Sequence, residues 1–271
     1  MAESDENPGE PSSFELKARK LRPEMAGQVS RIVGYSETGR GHFRQVEPAS
    51  LDIPLVISFG EPFAIGLGHE PGDNDRFGSF ASGLFAGPVT IDSFGASNCL
   101  QINFTPLGAR RFFGLPLSEL AERMVALDDA LGAEGHKLRE GLGNAADWEQ
   151  RFDIAERVLL ARIGKADVRS SEVVWAYNRI AASGGRVRIA SIAERLGWSR
   201  KHLAKRFASE IGLGPKSVAR IARLNSAIDA WRTGQTGWAG IAADCGYADQ
   251  AHMTREFREL AGAAPAAWAG R

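Results

Sequence analysis

Two cysteines in 271 residues, Cys99 and Cys245, are too few to staple a fold. They stand in segments that read as different domains, so no disulfide framework is expected and a reducing compartment is. Long apolar runs are also missing, for nothing approaches the roughly 18 consecutive apolar residues of a membrane-spanning helix. The start, MAESDENPGEPSS, is acidic and polar where a secretory signal would be basic and then apolar. Net charge is absent too, because 33 Lys and Arg balance 33 Asp and Glu. What remains is an ordinary globular composition, 44% hydrophobic, in a chain long enough for two domains. The expectation is a cytoplasmic protein with no membrane partner.

The neutrality conceals two opposed parts. Residues 1–164 hold 16 Lys and Arg against 24 Asp and Glu, a net of −8, and residues 165–271 hold 17 against 9, a net of +8. A basic C-terminal domain suits a polyanion such as nucleic acid, and an acidic neighbour discourages unspecific adhesion by the remainder.

Residues 1–13, rich in Glu, Pro and Ser, have no apolar period and are expected to form a disordered tail. From about 27 to 105, short β-branched and aromatic runs such as LDIPLVISFG, GPVTIDSF and NCLQINF are broken by Gly and Pro, which predicts a small antiparallel barrel or sandwich. In NCLQINF, Leu100, Ile102 and Phe104 alternate with Cys99, Gln101 and Asn103, so one face packs and the polar one looks into a cavity or into water. At TPLGARRFFG the period changes: Thr105 caps, Pro106 takes the first helical position and Gly114 closes the turn. Further helices are expected over about 117–127 and 147–163. A sensor or dimerisation domain thus spans 14–164, and an almost wholly helical domain occupies 165–271.

That second domain repeats itself. IAERLG leads into GWSRKHLAKRF, and IAADCG into GYADQAHMTREF about fifty residues later, so each unit reads helix, Gly turn, helix. Leu203 and Phe207, like Met253 and Phe257, lie four apart and mark a buried stripe. The positions left outside are Arg200, Lys201, Ala204 and Lys205 in the first unit and Gln250, Ala251, Thr254 and Arg255 in the second. Such a face fits DNA, since Lys and Arg donate to guanine and Gln pairs with adenine. Between the units, Val218, Ile221, Leu224, Ile228 and Trp231 recur every three or four residues and predict one long connecting helix.

These features, carried by IASIAERLGWSRKHLAKRFASEIGLGPKSVARIARLNSA, by IAADCGYADQAHMTREFRELAGAAPAAW and by the closing Gly262, Pro265 and Trp268, resemble the AraC/XylS family of bacterial transcription regulators. The expected architecture is α+β: a β-rich N-terminal domain, then an all-α domain of two helix-turn-helix units joined by a long helix. By resemblance, Ser199, Arg200, Lys201, Ala204 and Lys205 meet DNA from the first recognition helix, and Gln250, Ala251, Thr254 and Arg255 from the second. Ala204 offers only a methyl, and Ala248 and Met253 depart from the Ser and aromatic residue more usual in the family. The run FTPLGARRFFGLPLSELAERMVALDDALG resembles the sensor-like region of a subgroup, which implies effector binding and often dimerisation. The partners expected are double-stranded DNA, a small-molecule effector, a second copy of the chain and RNA polymerase. Two alternatives stand beside this: an N-terminal domain that only dimerises, and a barrel enzyme with an accessory DNA-binding domain.

Other chemistry is weakly written. His202 and His252 fall at matching places of separate helices and Cys245 lies beside a buried turn, so metal-ligand spacing is lacking; both histidines are expected to lean on the backbone. His42 and His69 have no H-x-H partner or carboxylate set. GLGHEPGDN lacks a phosphate-binding order and reads as turns. Trp175, Trp198, Trp231, Trp238 and Trp268 are read as core or helix-end packing. The reading contains no catalytic residue, metal or cofactor and is not that of an enzyme.

Overall fold

A computed structural model describes residues 13–39, 41–165, 171–235 and 237–270. Of the expected tail, residues 1–12 lie outside the described residues. The thirteenth, Ser13, begins strand β1 (Ser13–Arg19), which the sequence reading had not assigned. There follow β2 (Val29–Thr38), β3 (Phe43–Glu47), β4 (Ile53–Ser58), β5 (Phe63–Leu67), β6 (Arg76–Phe77), β7 (Phe80–Ser82), β8 (Val89–Ser93), β9 (Asn98–Phe104) and β10 (Met124–Ala126). All pairs are antiparallel. They form a six-stranded sheet in the order β1-β2-β9-β4-β7-β10 and a four-stranded sheet in the order β3-β8-β5-β6.

At its centre, around β9, the larger sheet is packed on both faces, while the edge strand β1 is exposed. Leu100, Ile102 and Phe104 are buried with Phe112, Phe113, Phe152 and Leu159 of the covering helices. From the opposite face, Cys99 joins Val56, Phe63, Ile65 and Phe80 in a second cluster, and Asn103 is buried as well. That face is therefore mostly covered, with Cys99 and Asn103 buried and Gln101 half-buried. It carries the buried Glu37, which accepts hydrogen bonds from the Tyr35 hydroxyl (2.6 Å), the Ser93 hydroxyl (3.0 Å) and the Gly95 and Ser97 amides (3.1 and 3.4 Å). Burial alone would raise its carboxyl pKa, but the donors outweigh it and hold the group below the usual carboxylate range.

Helix α1 (Pro106–Phe113) begins and ends as its sequence predicts. The Thr105 hydroxyl accepts from the Gly108 amide at 3.1 Å, Pro106 follows, and Gly114 closes the helix in the left-handed region with φ 73°. The helix expected over about 117–127 is absent. Leu117–Glu119 make a short 3-10 turn, and the chain then runs along the free edge of β7, with Gly83 donating to Leu120 O and Glu122 to Leu84 O before β10 pairs Met124–Ala126 with Phe80–Ser82. An unpaired strand edge competes successfully with local helical preference. Two helices not anticipated follow, α2 (Leu127–Leu131) and α3 (Ala133–Gly143), and then the expected α4 (Trp148–Lys165). The wholly buried Glu156 of α4 is held by Arg22 at 2.8 Å and Arg19 at 3.2 Å, so the helix is pinned to β1 and the segment after it.

The rest is helical: α5 (Ser171–Ala182), α6 (Ile189–Leu196), α7 (Arg200–Ile211), α8 (Pro215–Arg232), α9 (Trp238–Asp244), α10 (Gln250–Ala261) and α11 (Pro265–Ala269). Of the boundary anticipated at 164–171, residues 166–170 lie outside the described residues. The hydrophobic core runs without a break from Met25 through the sheet and its helices to Ala261. Backbone and side-chain bonds cross the same junction, Ala49 N to Leu260 O at 2.7 Å and Asn225 Nδ2 to Ala49 O at 2.8 Å.

Two predictions follow from these local devices. Thr105→Ala should lower unfolding free energy by about 1 kcal/mol while Thr105→Ser retains it, as read from urea unfolding; equal stability of all three proteins would contradict the cap. A carboxyl with a depressed folded pKa stabilises above its unfolded value of about 4.3 and loses that contribution as pH falls through the folded value. Urea midpoints measured from pH 7 to pH 3 should therefore fall less steeply for Glu37→Gln than for the parent below about pH 5, and identical slopes would remove Glu37 from the acid transition.

Candidate nucleic-acid interface

Each helix-turn-helix unit is built around a glycine that an L side chain would strain. Gly197 ends α6 with φ 67° and lets Trp198 N reach back to Ala193 O at 2.9 Å; Gly246 follows α9 with φ 77°, and Tyr247 N reaches Ala242 O at 2.9 Å. The next helix is then capped by a side chain. Ser199 accepts from the His202 amide at 3.1 Å to start α7, and Asp249 accepts from the His252 amide at 2.6 Å to start α10. Below these caps, Leu203, Phe207, Met253 and Phe257 are all fully buried. The four-residue spacing read from the sequence is therefore the spacing of the packed face.

That packing settles which side chains point away. Ser199, Arg200, Lys201, Ala204 and Lys205 are exposed along α7 and its approach, as are Gln250, Ala251 and Arg255 along α10. Thr254 is half-buried and its hydroxyl donates to Gln250 O at 2.9 Å. Ser199 is engaged as the cap. The sequence-derived positions thus gather on the outer faces of two helices, Lys201, Ala204 and Lys205 on one and Gln250, Ala251, Thr254 and Arg255 on the other.

Of the two histidines expected to lean on the backbone, His252 does so and His202 rests on a side chain instead. His252 Nδ1 is within 3.3 Å of the Ala248 amide, and the His202 ring stands edge-on to Trp198 with centroids 4.6 Å apart. Among the described residues no group of His, Cys, Asp or Glu is arranged to hold a metal ion, and no helix is long and apolar enough to cross a membrane. His42 stands 3.4 Å from Asp92, which also takes Arg44 at 2.7 Å, and His69 faces Asp75.

The units are joined by α8, whose 18 residues amount to about 27 Å. Val218, Ile221, Leu224 and Ile228 are buried as their spacing predicts, but Trp231 is 36% exposed and rests on Trp238 and Trp268, with centroids 6.3 and 5.6 Å away. Trp175 is 39% exposed on α5 and is likewise no core residue. Trp231 lies past Ile228, the last buried residue of α8, whereas Trp175 stands off the buried face that Val173, Ala176, Tyr177 and Ile180 form.

Sequence reasoning missed the contacts that fix how α7 and α10 sit. The C-terminal end of α7 packs on the Leu117–Glu119 turn and on α1. A Cβ on Gly212 would come within 3.2 Å of Leu117 O. On α10, Glu256 is buried against Arg220 and Arg223 of α8. Only one signal hinted at it: the equivalent place of the first unit holds Arg206, an opposite charge in an otherwise kept frame.

Residues 192–271 match the family model described as a helix-turn-helix domain. No curated protein matches. Among solved structures, the C-terminal domain of AraT, a response regulator from Geobacillus stearothermophilus, is 23% identical, with 38% of this chain and 87% of that one covered and a TM-score of 0.35. A structure of ToxT from Vibrio cholerae strain SCE256 with unsaturated fatty acid bound covers 97% of this chain and 96% of its own at 10% identity, with a TM-score of 0.46. The AraC-like transcriptional activator CuxR is 15% identical over 83% of each chain, with a TM-score of 0.36. With two capped helix-turn-helix units on one linker helix and a family match that runs through both, the chain carries a helix-turn-helix DNA-binding domain over residues 192–271.

Proposed function

We propose that this chain is a transcriptional regulator that recognises an operator of two boxes, each read in the major groove by one helix. In α7, Lys201 and Lys205 donate to base edges and the Ala204 methyl meets a thymine, while Ser199 and Arg200 contact the phosphates at the helix entry. In α10, Gln250 pairs with an adenine, Thr254 and Arg255 reach bases or phosphates, and Ala251 permits close approach. The observation that carries this reading is the pair of exposed polar faces, each opposite a fully buried Leu or Met and Phe pair, on two capped helices of one rigid domain.

The N-terminal part is assigned the response to a small-molecule effector, in a cytoplasmic homodimer that acts on RNA polymerase; it is the regulatory half of the molecule, not an enzyme. One place where an effector would reach α7 is beside the turn that seats it, where Leu115, Glu119, Leu120, Arg123, Met124 and Val125 line an open cavity of about 290 Å³. A ligand there alters regulation only by binding one arrangement of that seat better than another.

Titration of matched duplexes tests the DNA reading. Lys205→Ala should cost about 1–3 kcal/mol on the preferred operator and little on random duplex, whereas Arg200→Ala should weaken both alike and lower the salt slope by about one. Equal losses on both duplexes for Lys205→Ala would reduce it to a phosphate contact.

A further inference from the structure

The two units keep the same apolar frame but differ at one buried place. Arg206 in α7 is half exposed and, among the described residues, is bonded to Glu210 of its own helix at 3.0 Å. Glu256, four residues after His252 as Arg206 is four after His202, has a side chain only 7% exposed and turns toward α8. There Arg220 Nε donates to its Oε1 at 2.9 Å, and Arg223 Nη2 approaches both oxygens at 3.3 and 3.4 Å. Arg220 Nη2 reaches Glu259, one turn further along α10. The arrangement continues toward the turn: His252 Nε2 stands 3.5 Å from Glu256 Oε1 and its Nδ1 accepts from the Ala248 amide at 3.3 Å, which assigns the proton of a neutral ring to Nε2. Arg223 also lies over the Tyr247 ring, 5.1 Å from its centroid. A chain of polar contacts therefore runs from the linker helix through Glu256 to the turn that precedes α10.

We propose that Glu256 is the positioning residue of the second helix-turn-helix unit: held by Arg220 and Arg223, it sets the rotation and depth at which α10 presents Gln250, Thr254 and Arg255 to DNA. The proposal rests on the reading of α10 as the second recognition helix. A buried carboxylate is a poor source of stability but a good source of register, because an apolar side chain packs in many rotations and a forked ion pair in few. In the first unit α7 carries no such buried ion pair, and its C-terminal end packs on the Leu117–Glu119 turn.

The test uses the full chain as Glu256→Gln and Glu256→Leu, the second replacing the buried charge by an apolar group of similar size. Each is titrated on the preferred duplex, on duplexes with either box scrambled and on random duplex, with footprinting of both boxes. The expected result is at least tenfold weaker protection of the box read by α10, first-box protection within twofold of the parent, and random-duplex affinity unchanged or raised. A protein merely destabilised loses protection of both boxes and of random duplex together, and that outcome, or unchanged second-box discrimination, overturns the proposal. A parent protein that shows no two-box preference removes the DNA reading and this inference together.

Discussion

The apolar stripe of α8 is the constraint on which the DNA-binding half depends. Val218, Ile221, Leu224 and Ile228 are buried at three- and four-residue spacing, so one uninterrupted helix contributes core to the units on either side of it. A flexible connection would leave two short helical units to find DNA independently, each paying its own orientational cost. A packed helix removes that freedom in advance. The spacing of the two reading faces is then a property of the fold.

The two ends of that helix solve the same problem differently. Around α7 the fixing contacts are tertiary and come from the β-rich part, through the Leu117–Glu119 turn and α1. Around α10 they are largely internal to the helical domain, through Glu256 and the two arginines of α8, with the Ala49 to Leu260 backbone bond as a further tie. The N-terminal part thus packs directly on α7. A change at the Leu117–Glu119 turn reaches α7 without passing through the linker. The core is continuous across this junction, so such a change is transmitted by packing that is close to incompressible.

How much of this was legible depends on whether the deciding interaction is local. The caps Thr105 and Ser199, the glycine turns and the Leu203/Phe207 and Met253/Phe257 pairs are local patterns, and they could be read directly. The stretch after Leu117 was misread as helix because its outcome is decided by a strand edge about forty residues earlier, the unpaired side of Phe80–Ser82. β1 was missed because SFELKAR follows a polar stretch and its partner, Val29–Thr38, lies beyond a turn. Trp231 fits the apolar period of α8 but falls where the helix leaves the packed layer, so periodicity overstated its burial. The Glu256 contacts span 33 and 36 residues and obey no period; only the charge reversal against Arg206 betrayed them.

The central claim is that two rigidly spaced helices read two stretches of one DNA face. Selection of fragmented DNA by the purified full-length protein at physiological salt, followed by titration of the recovered fragments against random duplex, tests it most directly. The account predicts a motif of two boxes about one helical turn apart, bound at least about a thousandfold more tightly than random DNA. Weak binding that ignores sequence and collapses steeply with added salt would contradict it, reducing the exposed faces of α7 and α10 to an electrostatic patch.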